Sequence, residues 1–292
     1  MAKGANIGAQ DASLRRFVEL LGTSREETSL FELALLLAAI DRPELRDGWW
    51  RVWLTAFDDM TERIADEVSA MKEVGEGDLL QAWARVFSSQ LRFRAPTGEY
   101  HLPAHSSLAY GLERRTGLPI TLSVLFAELG RQALGLRTFG VPTPGHFIAG
   151  AWVGSEMYFV DPFSTSGRVL SATEAAIAVA ERTGRPADFI LPYLRPATWQ
   201  EILVRMVNNL RAAYERQQSV AGLERALEWL LVLEPGNQPA RRDRGLALLY
   251  RGQLDHGARL LLEYLESSPG AEDEALIRRE AMKALSARHL LN

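Results

Sequence analysis

The chain has 292 residues, 47% hydrophobic and 24% charged, with 33 basic against 37 acidic side chains and a net charge of −4. That balance fits folded globular domains, roughly two of them at this length, and excludes both a disordered chain and a globally basic nucleic-acid binder. Cysteine is absent, which removes disulfides, thiolate zinc sites, iron–sulfur clusters and every cysteine nucleophile.

In chain order, Met1–Gln10 carries Lys3 but no apolar block, so no secretory signal is expected and the cytoplasm is the default location. From Asp11 to about Gln90 the pattern is helical. Phe17, Leu20 and Leu21 recur at helix spacing, Thr23 or Ser24 is placed to cap the next helix, and Phe31, Leu33, Leu35, Leu36 and Ile40 form an apolar stripe ended by Pro43. Trp49, Trp50 and Trp53 follow, then Phe57, Met60, Ile64 and Val68 keep the three-to-four spacing, so the tryptophans read as packing and not as a binding face. Residues 1–95 are thus an all-helical amino-terminal module. The apolar stretches Phe31–Ile40 and Leu227–Leu233 fall far short of the ~20 residues that cross a bilayer, and no membrane association is expected.

Arg94–Glu99, with Pro96 and Gly98, is a connection. Ser106–Thr116 predicts one short helix ended near Gly117. Pro119 opens a second, with Leu122, Leu125, Phe126 and Leu129 on one face and Gly135 as its stop. Three strands are expected next: Arg137–Val141, His146–Val153 and Glu156–Val160, the last two joined by Gly154-Ser155. A helix followed by an antiparallel meander over residues 96–196 makes the fold α+β, mostly helical.

After Thr198 the chain is helical to its end and it repeats. Pro235 and Pro269 lie 34 residues apart, the period of tetratricopeptide repeats, and Leu227 maps onto Leu261, Leu231 onto Leu265 and Ala213 onto Ala247 at the same offset. Glu272–Leu290 is the expected cap of a region spanning residues 197–292. Such helix pairs commonly present a face to a partner protein, although a short pair can simply pack on a core.

The densest chemical signal is Pro144-Gly145-His146-Phe147, followed by Asp161-Pro162-Phe163. A hairpin between them sets His146 beside Asp161, close enough for a carboxylate to orient an imidazole. A nucleophile would sit at the start of the preceding helix, where the macrodipole and free N–H groups favour an anion. There the chain offers only the hydroxyls of Thr121 and Ser123. Three readings follow: a non-catalytic protein that keeps the pair as a brace, one that retains a binding pocket without catalysis, or a hydrolase or acyltransferase with Thr121 or Ser123 as nucleophile and His146 as general base.

These residues resemble a known family. Ser106-Ser107-Leu108, Glu113 through Ser123, Pro144-Gly145-His146-Phe147 and Asp161-Pro162-Phe163 look like the SirB family of bacterial transglutaminase-like proteins, as does Arg242-Asp243-Arg244-Gly245-Leu246. The similarity runs from about Ser106 to Phe163 and from about Trp199 to Pro269. It implies a papain-like transglutaminase core followed by tetratricopeptide repeats. Active enzymes of that core use Cys, His and Asp in chain order, and His146 and Asp161 match the second and third places. The first falls within Pro119–Thr121, where no cysteine stands, so the resemblance implies a pseudoenzyme of unknown role, a protein-binding scaffold or regulator.

Other residues carry weaker signals. His101 and His105 stand four apart, the spacing of a helical metal pair, but Pro103 between them makes them loop histidines, and no metal is expected. His256 and His289 fall among the repeats and are expected to be exposed. Arg241-Arg242-Asp243-Arg244 is short and contains its own acid, so it reads as paired charge and not as a nucleic-acid patch. No glycine spacing fits a dinucleotide fingerprint or a P-loop, and no cofactor is expected.

Overall fold

A computed structural model describes residues 12–24, 28–69 and 76–289. Met1–Gln10, read as lacking a secretory signal, and the His289 side chain, expected to be exposed, lie outside the described residues. The chain divides into two compact units, one reaching Met206 and the other running from Val207. Among the described residues the fold is mostly helical, with one small antiparallel sheet, and no helix is long and apolar enough to cross a membrane.

The first unit opens with α1 (Ala12–Leu21), α2 (Leu30–Leu36), α3 (Ala38–Asp41), α4 (Trp50–Ser69) and α5 (Glu76–Arg85), the last continued by a π-turn at Val86–Gln90. The cap of α2 is Ser29, whose hydroxyl accepts the Phe31 N–H at 3.1 Å, and not Thr23 or Ser24. Thr23 instead turns its hydroxyl back onto the Leu20 carbonyl and closes α1. The apolar stripe is buried as its spacing requires, with Phe31 stacked on Phe57. Trp50 is buried at the head of α4, and the Trp49 indole donates to the Ser13 hydroxyl at 3.0 Å, so these two rings pack inward.

A 3₁₀ turn (Pro103–Ser106) leads into α6 (Leu108–Arg114) and α7 (Pro119–Leu134). Helix α6 is capped by Ser107, not Ser106, and the left-handed residue that ends it is Arg115, not Gly117. That conformation at Arg115, φ +58°, places its carbonyl to accept the Arg94 N–H, and its guanidinium lies 5.0 Å from the Phe93 ring. Helix α7 is buried over most of its length, begins with proline at its first position and stops at Gly135, as its sequence predicts.

The sheet follows as a meander of β1 (Arg137–Val141), β2 (Ile148–Val153), β3 (Glu156–Val160) and β4 (Val169–Leu170), in that spatial order. Four successive β2 residues, Ile148–Ala151, are buried, so both faces of the sheet are covered. Helix α7 packs on β1 and β2. Val141, Ile148 and Phe159 meet Ala175, Ala176 and Val179 of α8 (Ala172–Thr183), together with Ile190 of α9 (Ala187–Ile190). The Gln81 carboxamide bonds the backbone on the β4 side, donating to Gly167 O at 2.6 Å and accepting from Val169 N at 3.1 Å. On the β1 side, Ala197 N–H reaches Gly140 O at 2.8 Å.

A 3₁₀ turn (Leu191–Tyr193) leads to α10 (Trp199–Arg216), and α11 (Val220–Leu233), α12 (Gln238–Tyr250), α13 (Leu254–Ser267) and α14 (Glu274–His289) follow. From α11 onward each helix packs against the next. Pro235 and Pro269 fall in corresponding turns, after α11 and after α13. Leu227 and Leu261, and Ala213 and Ala247, are buried at the shared offset, whereas Leu231 is only half-buried.

Candidate functional site

The site is assembled where the β1–β2 loop meets the end of β3. Gly145 adopts φ +76°, a conformation that disfavours any side chain, and the His146 N–H turns back onto Thr143 O at 3.3 Å. His146 therefore precedes β2, which starts at Ile148 and not at His146 as expected. The juxtaposition holds all the same: His146 Nε2 lies 3.0 Å from Asp161 Oδ2, with the imidazole side chain only 2% exposed. Asp161 Oδ1 accepts the Phe163 N–H at 3.0 Å, and the Arg182 guanidinium stands 3.5 Å from Oδ2. A carboxylate oxygen accepts from an imidazole N–H, so Nε2 is the nitrogen placed to donate to Asp161, and Nδ1 is left outside that bond.

At the head of α7 the two candidate hydroxyls are fully buried. Thr121 Oγ1 donates to the His105 carbonyl at 2.9 Å and Ser123 Oγ to the Phe147 carbonyl at 3.3 Å. The structure thus joins His146 to Asp161 and commits Thr121 and Ser123 to backbone acceptors. Chemically, it holds an oriented imidazole without a partnered nucleophile.

The remaining candidates do not converge on this pair. His105 is buried, its Nδ1 3.0 Å from the Tyr100 carbonyl, whereas His101 is exposed. Among the described residues no group of three or more His, Cys, Asp or Glu side chains is arranged to hold a metal ion. His256 is half-buried, contrary to its expected exposure, because α13 packs it near Arg244 and Arg259; burial, then those charges, lowers its pKa. The arginine run is paired: Arg244 with Glu224 and Glu228, Arg242 with Asp243 and Asp273, and Arg241 with Glu263.

The family model described as Transglutaminase-like superfamily matches residues 52–208. A UPF0162 protein of Xylella fastidiosa (strain 9a5c) is 31% identical over 262 residues, 88% of this chain and 91% of that protein. The chain belongs to the UPF0162 proteins of the transglutaminase-like superfamily. A UPF0162 protein of Vibrio cholerae is 24% identical over 249 residues, 83% of this chain and 88% of its own length. Human F-box only protein 21 is 26% identical over 183 residues, 59% of this chain but 28% of that protein, so the shared module recurs inside a longer chain. No solved structure matches.

One residue of this UPF0162 site escapes sequence reasoning. Arg205 of α10 donates from one terminal nitrogen to Thr143 O at 3.0 Å and from the other to His146 O at 2.6 Å, with its guanidinium 5.2 Å from the Phe147 ring. It holds the turn that presents His146. Burial pushes its pKa below the ordinary arginine value. The available signal was a lone arginine among Ile202, Leu203, Met206 and Val207, an apolar helix face that otherwise carries no charge.

Proposed function

We propose that this UPF0162 chain is a non-catalytic transglutaminase-like protein that acts as a protein-binding scaffold or regulator, as the resemblance to the SirB family implies. In this reading His146 and Asp161 are vestiges of a catalytic triad retained as a brace between the β1–β2 loop and the end of β3. The helix pairs α10–α11 and α12–α13 are tetratricopeptide repeats, α14 is their cap, and a partner protein engages the repeat face. One observation carries the non-catalytic reading: in a chain without cysteine, both hydroxyls at the head of α7 are fully buried and bonded to backbone carbonyls. A hydrolase or acyltransferase using Thr121 or Ser123 would first have to break one of those bonds and open the helix end to substrate.

The test is turnover. Purified protein is offered a panel of activated esters and amides beside His146→Ala, Thr121→Val and Ser123→Ala variants, and no release above the buffer rate is expected from any of them. Turnover that His146→Ala abolishes while the fold is kept would overturn the reading. For the scaffold, Tyr250 is 81% exposed at the end of α12, and Tyr250→Ala in the full chain is expected to weaken crosslinking to a partner. Crosslinking unchanged by this and by Met282→Ala on α14 would count against the repeat face.

A further inference from the structure

The ring of Phe163 is a hub for groups with no shared role in bracing the sheet. The His146 ring lies 5.9 Å from it at 75°, the Tyr100 ring 6.1 Å from it at 81°, and the Arg182 guanidinium 5.3 Å from its centre. Arg205 is tied to His146 by its hydrogen bond to the His146 carbonyl. Charge around this hub is unbalanced. Among the described residues, Asp161 is the carboxylate paired with Arg182, and its oxygens are already engaged by His146 and the Phe163 N–H. Arg205 has two backbone carbonyls as acceptors and no acidic partner among the described residues. Two guanidinium groups thus stand against one occupied carboxylate.

Tyr100 completes the arrangement. Its side chain is exposed, and its hydroxyl has no hydrogen-bond partner among the described residues. Burial raises the pKa of that phenol, while the charges of Arg182 and Arg205 oppose the rise, so both cations act on the hydroxyl. A neutral phenol donor beside two guanidiniums, floored by aromatic rings, matches the needs of a bound oxyanion: charge, N–H and O–H donors, and a partly dry surround.

We propose that Tyr100, Arg182 and Arg205 form a binding site for an oxyanion, a carboxylate or phosphate group borne by a ligand, at the rim of the His146–Asp161 pair. The exposed Arg182 and the Tyr100 hydroxyl make the contacts. Arg205 supplies fixed positive charge and holds the loop that forms one wall. The site does not depend on the scaffold reading, because ligand binding and ester turnover are measured separately.

The test is calorimetric titration of the full chain with inorganic phosphate and with succinate at matched ionic strength, with sodium chloride as the control. Saturable binding by either anion is expected. Arg182→Gln should weaken it about tenfold and Tyr100→Phe about threefold, the scale of one charged and one neutral hydrogen bond. Arg185→Gln, on the neighbouring Phe189 ring, should leave it unchanged. Saturation by phosphate alone assigns a phosphate-bearing ligand and by succinate alone a carboxylate. No saturation with either, or equal affinity in Arg182→Gln, Tyr100→Phe and wild type, overturns the proposal. Tyr100→Phe deletes a single unpartnered hydroxyl, so it keeps the test decisive even where Arg182→Gln disturbs Asp161.

Discussion

Replacing His146 by alanine separates a brace from a catalytic base more sharply than any activity measurement. The imidazole side chain is 2% exposed, and among the described residues its one side-chain bond is to a carboxylate that is itself 12% exposed. Losing a hydrogen bond to a charged group costs about 1.5–3 kcal/mol, and the vacated ring volume adds a cavity cost of about 1 kcal/mol. Asp161 is not stranded, because the Phe163 N–H and Arg182 remain. The sum is about 2.5–4 kcal/mol. For a unit of this size each kcal/mol moves the midpoint by about 2–4 °C, so a drop of about 5–16 °C is expected. Differential scanning calorimetry is the assay. Asp161→Asn keeps one acceptor oxygen where two donors, Nε2–H and the Phe163 N–H, need one each, so an amide NH2 faces the other donor and a cost of about 1–3 kcal/mol is expected. A His146→Ala midpoint within about 1 °C of wild type refutes the bracing role.

Glu224 is 6% exposed and receives both Arg244 and Arg251, so Glu224→Ala leaves the half-buried Arg244 with Glu228 alone; a loss of about 2–4 kcal/mol is expected in urea unfolding. Gly222 of α11 lies against the Tyr214 ring so closely that an added Cβ would overlap it. Gly222→Ala should therefore cost about 1–3 kcal/mol by the same measurement, and a neutral result would show that α11 can shift freely. Glu201 caps α10 through Thr198 and is held by Arg195, first by their hydrogen bond, which lowers its pKa from 4.5 to about 2. Its stabilisation is therefore present above about pH 4.5 and lost as pH falls through 2. With its side chain 38% exposed, screening reduces the effect to about 1 kcal/mol. The stability gap between wild type and Glu201→Gln should be of that size at pH 7 and close toward pH 2; a gap independent of pH would show that the charge is irrelevant.

Local signals carried far in this chain. Pro119 and Gly135 bracket α7 because each acts through its own backbone: a fixed φ and a missing N–H at one end, a left-handed turn at the other. Strands β1 and β3 match their expected limits residue for residue, as did the proximity of His146 to Asp161, since a tight hairpin leaves little choice of register. What escaped was decided at a distance. Ser107 and Arg115, not Ser106 and Gly117, bound α6 because Arg94, far back in the chain, claims the Arg115 carbonyl. His146 sits outside β2 because a guanidinium 59 positions later grips its carbonyl. Strand β4 gave no periodic signal, being two residues long. Thr121 and Ser123 were legible as hydroxyls at a helix head, but the acceptors that occupy them come from other loops.

The treatment of the sheet borders bears on how this protein can meet others. An open strand exposes a row of donors and acceptors that invites another chain to extend the ladder. Here a side-chain amide, Gln81, imitates a peptide unit beside β4, and Ala197 takes up a carbonyl of β1. With those positions claimed, strand donation, domain-swapped ladders and fibre-like stacking all start at a disadvantage. Main-chain pairing along this sheet is thereby disfavoured, and Gln81→Ala is the substitution that would reopen that route.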